Sequence, residues 1–283
     1  MDRENWPDIA KGIAIILVVL GHCLNHFDDA VLHRICEIIY LFHMPLFVTL
    51  SGYSFFWVVS HNSFARNISN NVCIYVIQSV VYISFNILMQ RIISTSNVYS
   101  ARDFLTFPVI PVAHFWYIQA IIIYYFIFFL YERFVASIRI RRVLEALTVI
   151  IIFPLNRLIC SETLTRICYH FLFFAIGYFL HLILNNRKNR TGDGSLCGKG
   201  SARSSSVLSF LGRNSLWIYI FHPYVTAAVK AALGFFHIGN QYTGLIIMVT
   251  AAIILPLILR FVMNKTHTAW MVTNPINAFR GTE

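Results

Sequence analysis

Long apolar stretches alternate with short polar ones along most of the chain. Eight of the apolar stretches are close to the roughly 20 residues that a helix needs to cross a bilayer. We therefore predict an all-α fold, a polytopic transmembrane bundle of about eight spans with short polar connections. The predicted spans are 9–27, 35–59, 71–90, 115–132, 143–160, 168–185, 214–233 and 242–263. The fifth span is the weakest of these, because it contains Pro154 and Arg157.

The pattern also predicts how the chain is divided. Residues 1–263 are expected to form one membrane-embedded domain, followed by a polar cytoplasmic tail at 264–283. The longest polar connection, 186–213, begins with a basic segment rich in Gly and Ser, which is typical of a flexible cytoplasmic loop.

Composition and charge agree with a membrane protein. Hydrophobic residues make up 58% of the chain and charged residues 12%, whereas a soluble domain averages about 25% charged residues. If the N-terminus is cytoplasmic, sixteen of the 22 Lys and Arg fall on the cytoplasmic side and six on the outer side. This asymmetry follows the positive-inside rule and predicts that both termini are cytoplasmic.

The remaining compositional features exclude other classes of function. The net charge of +10 lies in the connections and no nucleic-acid-binding motif accompanies it, so we expect no nucleic-acid partner. The six Cys form no CxxC pair and are interpreted as small buried apolar residues. We predict no metal site.

A stripe of polar residues marks the first predicted helix. Lys11 and His22 are eleven residues apart, about three turns, so they share a face; Asp8 precedes Lys11 by one turn and His26 follows His22 by one turn. Such groups are costly in a membrane helix unless they have partners or a function. An imidazole can remove a proton from a hydroxyl group, which makes His22 a candidate general base, with packing in the bundle as the alternative. Asp8 is too far along the helix to orient this ring, so the orienting partner must come from another helix.

Two stretches near the second and fourth spans carry further polar groups. Phe42–Tyr53 contains His43 and Ser51, together with a proline that frees a carbonyl; a kinked packing helix is the alternative interpretation. His114–Gln119 contains Trp116, for which a position at the membrane interface is the alternative.

The stretch Leu211–Pro223 opens the seventh predicted span. It carries His222, and it begins with three polar residues, of which the second and third could cap the helix, while the first, with the helix N-terminus, could instead hold a phosphate group. These residues are Arg213, Asn214 and Ser215.

Together, four stretches of the chain resemble the integral-membrane acyltransferase 3 family: NWPDIAKGIAIILVVLGH, FHMPLFVTLSGY, HFWYI and LGRNSLWIYIFH. The first two are most similar to its fucose 4-O-acetylase-type O-acetyltransferases. By position, His22 matches the essential histidine of the family, and Lys11 stands where many members have Arg. The residues that match the second motif are Phe42, Pro45, Ser51 and Gly52.

The resemblance implies an enzyme that moves an acyl group, usually acetyl from cytoplasmic acetyl-CoA, to a sugar hydroxyl. The acceptor would be a cell-surface polysaccharide or its lipid-linked precursor, and the location a bacterial inner membrane. We predict that His22, Lys11 and Asp8 are catalytic and that His43 and Ser51 support the oxyanion or the acceptor. The predicted CoA-binding residues are Arg66, Trp116, Arg213, Asn214 and Ser215, and His222 is a further candidate.

Two departures from the family keep other functions open. The family typically has about ten spans, and many members have a cluster of Arg and Lys entering the third span, where this chain has Arg66 alone. A degenerate, non-catalytic member is therefore one alternative. A transporter or flippase is another, although no acidic residue lies deep in any predicted span. The sequence leaves four points open. These are which sugar hydroxyl is modified, how long the acyl chain is, whether transfer is direct or passes through an acetyl-histidine intermediate, and the oligomeric state.

Overall fold

The computed structural model describes residues 5–59, 64–90, 98–155, 161–191, 205–273 and 275, and these residues form helices and connections without a strand. The all-α prediction is therefore confirmed. The α-helices are α1 (Trp6–Leu24), α2 (Ala30–Val59), α3 (Phe64–Met89), α4 (Asp103–Thr106), α5 (Trp116–Phe134), α6 (Ile138–Leu155), α7 (Glu162–Thr191), α8 (Ser205–Arg213), α9 (Ser215–Phe235), α10 (Gln241–Lys265) and α11 (Trp270–Thr273), and a 3₁₀ turn, Ala113–Phe115, precedes α5.

Seven helices of the described chain are long and apolar enough to cross a membrane: α1, α2, α3, α5, α7, α9 and α10. They coincide with seven of the eight predicted spans. The remaining predicted span, 143–160, overlaps α6 over 143–155, and residues 156–160 lie outside the described residues. Helix α6 falls outside the seven because its first half carries four charged residues. These are Arg139, Arg141, Arg142 and Glu145. The cytoplasmic location of both termini stays a prediction.

The chain forms two compact units. The first contains Met1–Leu50 and Leu180–Ala269. Its most enclosed membrane helix is α1, with 56% of its apolar stretch buried against 17% for α10. Helix α1 contacts α8, α9 and α10, and it approaches α8 at backbone distance. A Cβ atom at Gly12 would lie 2.1 Å from the carbonyl oxygen of Leu208, so this contact requires glycine.

The second unit contains Ser51–Phe179 and Trp270–Glu283. Its core is aromatic, because Phe55, Tyr124, Phe128 and Phe174 are fully buried and their rings contact one another. Gly52 allows α2 to reach α7 within this core, since a Cβ there would lie 2.0 Å from the carbonyl oxygen of Phe174. The predicted close packing at the second motif is present.

The structure places helices inside two segments that the sequence predicts to be loop and tail. Ser205–Arg213, at the end of the predicted loop 186–213, forms α8, because its apolar residues face α1; residues 192–204 lie outside the described residues. In the predicted tail, Trp270–Thr273 forms α11 with Val272 buried, whereas 274 and 276–283 lie outside the described residues.

Candidate active site

Three histidine rings of the first unit meet around His22. The centroid of the His22 ring lies 5.1 Å from that of His222 on α9 and 6.5 Å from that of His43 on α2. His22 is partly exposed, whereas His43 and His222 are buried. The structure therefore brings together three predicted site residues that are up to 200 positions apart in the sequence. No group of three or more metal-ligating side chains in the described chain could hold a metal ion.

Backbone carbonyls fix the protons of two of these rings. Nδ1 of His43 donates to the carbonyl of Ile39 at 2.8 Å, and Nδ1 of His222 donates to the carbonyls of Ile218 and Tyr219 at 3.0 and 2.9 Å. A carbonyl oxygen only accepts, so Nδ1 carries the proton in each ring. In the neutral form of each ring, Nε2 is then the basic nitrogen.

Pro223 explains why one of these carbonyls is open to a side chain. In a regular helix the N–H of residue 223 would donate to the carbonyl of Tyr219, but proline has no N–H. The imidazole of His222 takes the place of that donor. The proline that follows the histidine in the sequence thus helps to hold the ring.

The side-chain partner of His22 is a tyrosine. The hydroxyl of Tyr40 on α2 lies 3.4 Å from Nδ1 of His22, and Asn25 donates to the same hydroxyl at 2.6 Å. The thiol of Cys36 donates to Asn25 Oδ1 at 3.1 Å, which continues the chain of hydrogen bonds. The prediction that the partner comes from another helix is correct. Tyr40 and Asn25 were missed, although Tyr40 precedes His43 by three residues and so shares its face of α2.

An ion pair between a buried carboxylate and a partly exposed guanidinium group joins the start of α1 to the end of α8. Asp8 is 1% exposed, and its Oδ2 lies 3.0 Å from Nε of Arg213. The guanidinium group also reaches Asn5, and more than half of the Arg213 side chain is exposed. Lys11 is half-buried one turn after Asp8 on α1. The structure therefore places three of the predicted residues at the end of α1 opposite His22.

The two polar residues after Arg213 are both buried. Asn214 stands at the N-cap position of α9, but its side chain makes no capping bond and instead donates to the carbonyl of Phe210 at 2.7 Å. The capping interpretation is therefore wrong for the Asn214 side chain, which closes the end of α8. Ser215 is the first residue of α9.

Three predicted site residues belong to the second unit rather than to the unit that holds the histidines. Ser51 shares a buried hydrogen bond of 2.6 Å with the hydroxyl of Tyr117. The Trp116 ring packs on the His170 ring, with 4.8 Å between the two centroids. Arg66 is exposed near the start of α3.

The second unit also contains a charged network that the sequence did not reveal. The side chain of Glu145 on α6 is fully buried and pairs with Arg142 at 2.7 Å. The hydroxyl of Tyr178 lies 2.7 Å from Glu132 and 2.8 Å from Glu145. A further ion pair links Arg141 to Glu132. These contacts explain how α6 accommodates three of its four charges, because Arg141, Arg142 and Glu145 each face a partner of opposite sign or a hydroxyl group, while Arg139 is exposed.

The apolar helices and their buried polar groups define an integral membrane protein. The sequence matches the family described as "Acyltransferase domain" over residues 4–198, which is more than half of the chain, and the chain therefore belongs to this acyltransferase family. The predicted resemblance and the prediction of an acyltransferase are confirmed at this level. The matched region includes His22 and His43 but ends before α8 and α9, which carry Arg213 and His222.

Two curated proteins are similar to part of the chain. Nodulation protein NolL of Sinorhizobium fredii is 40% identical over 74 residues, and nodulation protein NolL of Mesorhizobium japonicum is 38% identical over 72 residues. Each alignment covers 24% of this chain, and the aligned segments span 20% and 19% of the two relatives, about a fifth of their length. No solved structure matches the chain.

Proposed function

We propose that the protein transfers an acetyl group from acetyl-CoA to a hydroxyl group of a glycan or lipid-linked glycan, with His22 as the general base. The observation that carries this proposal is the histidine cluster, in which a partly exposed His22 is held between Tyr40 and two buried imidazoles. Membership of an acyltransferase family supports the reaction class.

The proposed reaction is an acyl transfer by direct attack. His22 accepts the proton of the acceptor hydroxyl while the oxygen attacks the thioester carbonyl of acetyl-CoA. The tetrahedral intermediate collapses, the C–S bond breaks, and the proton returns from His22 to the thiolate of CoA. The products are the acetyl ester and free CoA. His43, whose neutral ring accepts hydrogen bonds at Nε2, is a candidate to support the acceptor, and Ser51 is a weaker candidate to support the oxyanion because its hydroxyl is shared with Tyr117.

The opposite end of α1 supplies positive charge for the donor. Lys11 lies about 16 Å from His22 along α1, at 1.5 Å per residue, and the partly exposed Arg213 pairs with Asp8 at the same end of the helix. CoA is an elongated molecule with phosphates at one end and the thioester at the other. We propose that the phosphates bind at the Lys11 end while the acetyl group reaches His22. Arg66, Trp116, Asn214 and Ser215 remain secondary candidates for CoA binding.

The location proposed for the protein is a bacterial inner membrane. The support is the set of apolar helices, together with partial similarity to proteins from two bacterial species. Membrane lipid surrounds the bundle in this proposal, and the glycan acceptor enters from the membrane surface.

The test is acetyl transfer from radiolabelled acetyl-CoA in membranes that contain the protein, with mass analysis of the host glycans. His22→Ala should lower transfer by at least a hundredfold, because a general base contributes roughly 10²–10⁴ in rate. The matched control is His33→Ala, which removes an exposed histidine of α2 and should leave the rate unchanged.

Two results would overturn the proposal. If His22→Ala transferred acetyl groups within a few-fold of the wild-type rate, His22 would not be the general base. No transfer by the wild-type protein, despite binding of acetyl-CoA, would identify a non-catalytic member of the family.

A further inference from the structure

An open cleft of about 460 Å³ lies beside the end of α1 that carries His22. It is bounded by the α1–α2 connection, the last turns of α9 and the start of α10, all in the first unit. Its polar lining is His26, Lys230, His237 and Gln241. His26 follows His22 by four residues, in the turn after α1, so the cleft adjoins the end of α1 that carries His22.

The ionisable side chains that line this cleft are all basic. The lining contains an ammonium group and two imidazoles but no carboxylate among the described residues. His26 and Lys230 both line the cleft, and burial, followed by the charge of Lys230, lowers the pKa of His26. Asp29, in the α1–α2 connection, has other hydrogen-bond partners. Its carboxylate accepts from the backbone N–H groups of Val31 and Leu32 and from the hydroxyl of Tyr242.

Gln241 adds a second, independent feature. The side-chain oxygen of Gln241 is buried and has no hydrogen-bond partner in the described part of the chain. A buried amide oxygen without a partner costs about 1–3 kcal/mol, so a donor that reached it would be favoured. A sugar hydroxyl is such a donor. The wall beside it is apolar and contains Phe27 and Met248.

We propose that this cleft binds the acceptor, and that the acceptor is an anionic sugar whose carboxylate or phosphate is held by Lys230 while one of its hydroxyls donates to Gln241. This inference rests on the proposed function, because it names the class of substrate for the same reaction. The apolar wall covers the face of the sugar ring, and the ring extends along the end of α1 toward His22.

The test measures binding without turnover, on the purified full chain in nanodiscs of phosphatidylcholine. Glucuronate, which carries the anion, is titrated against glucose, which has the same ring without it. Glucuronate should bind at least tenfold more tightly. The difference should disappear in Lys230→Gln and return in Lys230→Arg. The matched control is Lys265→Gln, at the other end of α10, which should keep the preference.

Three outcomes would overturn the inference. These are equal binding of glucose and glucuronate, equal loss in Lys265→Gln, and displacement of glucuronate by phosphatidylglycerol in the nanodisc, which would make a lipid headgroup the occupant. The assay contains no acetyl-CoA, so its result is separate from that of the transfer assay. Loss of transfer in His22→Ala with no glucuronate binding would leave the proposed function standing and remove only the anionic acceptor.

Discussion

The hydroxyl of Tyr40 gives His22 a neutral partner. A carboxylate in this position would add a second charge to a buried face of a membrane helix and would itself need a partner. A phenol orients the imidazole without that charge. For His22 to accept a proton at Nε2, Nδ1 must carry the ring proton and donate it to the phenol oxygen, which also accepts from Asn25.

We expect Tyr40→Phe to lower acetyl transfer by about fivefold, because the ring of His22 loses one hydrogen bond of about 1 kcal/mol. The membranes and labelled acetyl-CoA are those used for His22→Ala. Tyr169→Phe is the control, since this tyrosine is partly exposed on α7 in the second unit. An unchanged rate in Tyr40→Phe would show that the tyrosine does not position the base.

At this scale the sequence predicts residue types better than partners. His22, His43 and His222 could be named because imidazoles are unusual in apolar helices. Tyr40 and Asn25 could not, because the sequence does not state which face of α2 turns toward α1. The partner of Arg213 was also unpredictable, since Asp8 lies 205 residues away in the chain.

At the element scale, helices α1 and α8 contact each other at backbone distance. Gly12 faces the backbone of Leu208, and a backbone carbonyl cannot move aside as the end of a long side chain can. The first unit therefore depends on a glycine in the middle of the polar stripe. The sequence motif that resembles the family includes this glycine, and the structure supplies a packing reason for it.

Gly12→Ala should destabilise the protein by about 1–3 kcal/mol, the usual cost of overpacking a filled interior. The measurement is thermal unfolding of the purified protein in detergent. Gly234→Ala is the matched control, because no atom lies within 4 Å of the added methyl group. Equal stability of the two variants would mean that α8 moves away from α1 without cost.

Hydropathy located seven of the long helices but was less informative for α6. The apolar half of α6 resembles a membrane span, whereas its charged half is stabilised by contacts with Glu132 and Tyr178 from other helices. Those contacts cannot be read from a window of local residues. The same limitation applies to α8, a short helix whose apolar face packs on α1.

For the whole molecule, the pair of Asp8 and Arg213 constrains the path of the chain. The two residues lie at helix ends and are 3.0 Å apart, so they are on the same side of the membrane. The chain must then cross an even number of times between them. Helices α1, α2, α3, α5 and α7 give five crossings, and α6, with 18 residues, is the other helix in the described chain between them that is long enough.

We therefore expect α6 to cross the membrane, which also keeps the predicted asymmetry of Lys and Arg. The test introduces Ser137→Cys before α6 and Ser161→Cys after it, in a variant without the six native cysteines, and labels intact cells with a membrane-impermeant maleimide. The two positions should be labelled from opposite sides, with Ser161→Cys resembling the outer reference Ser100→Cys. Labelling of both from one side would mean that α6 does not cross.

Pro223 bears on how the site behaves over repeated turnovers. The carbonyls that hold the His222 ring belong to its own helix, so the side-chain torsion is set within α9. If α9 shifts as a rigid rod while large substrates enter and leave, the ring travels with it in the same rotamer. The imidazole would then return to His22 already oriented, without a conformational search at the start of each cycle.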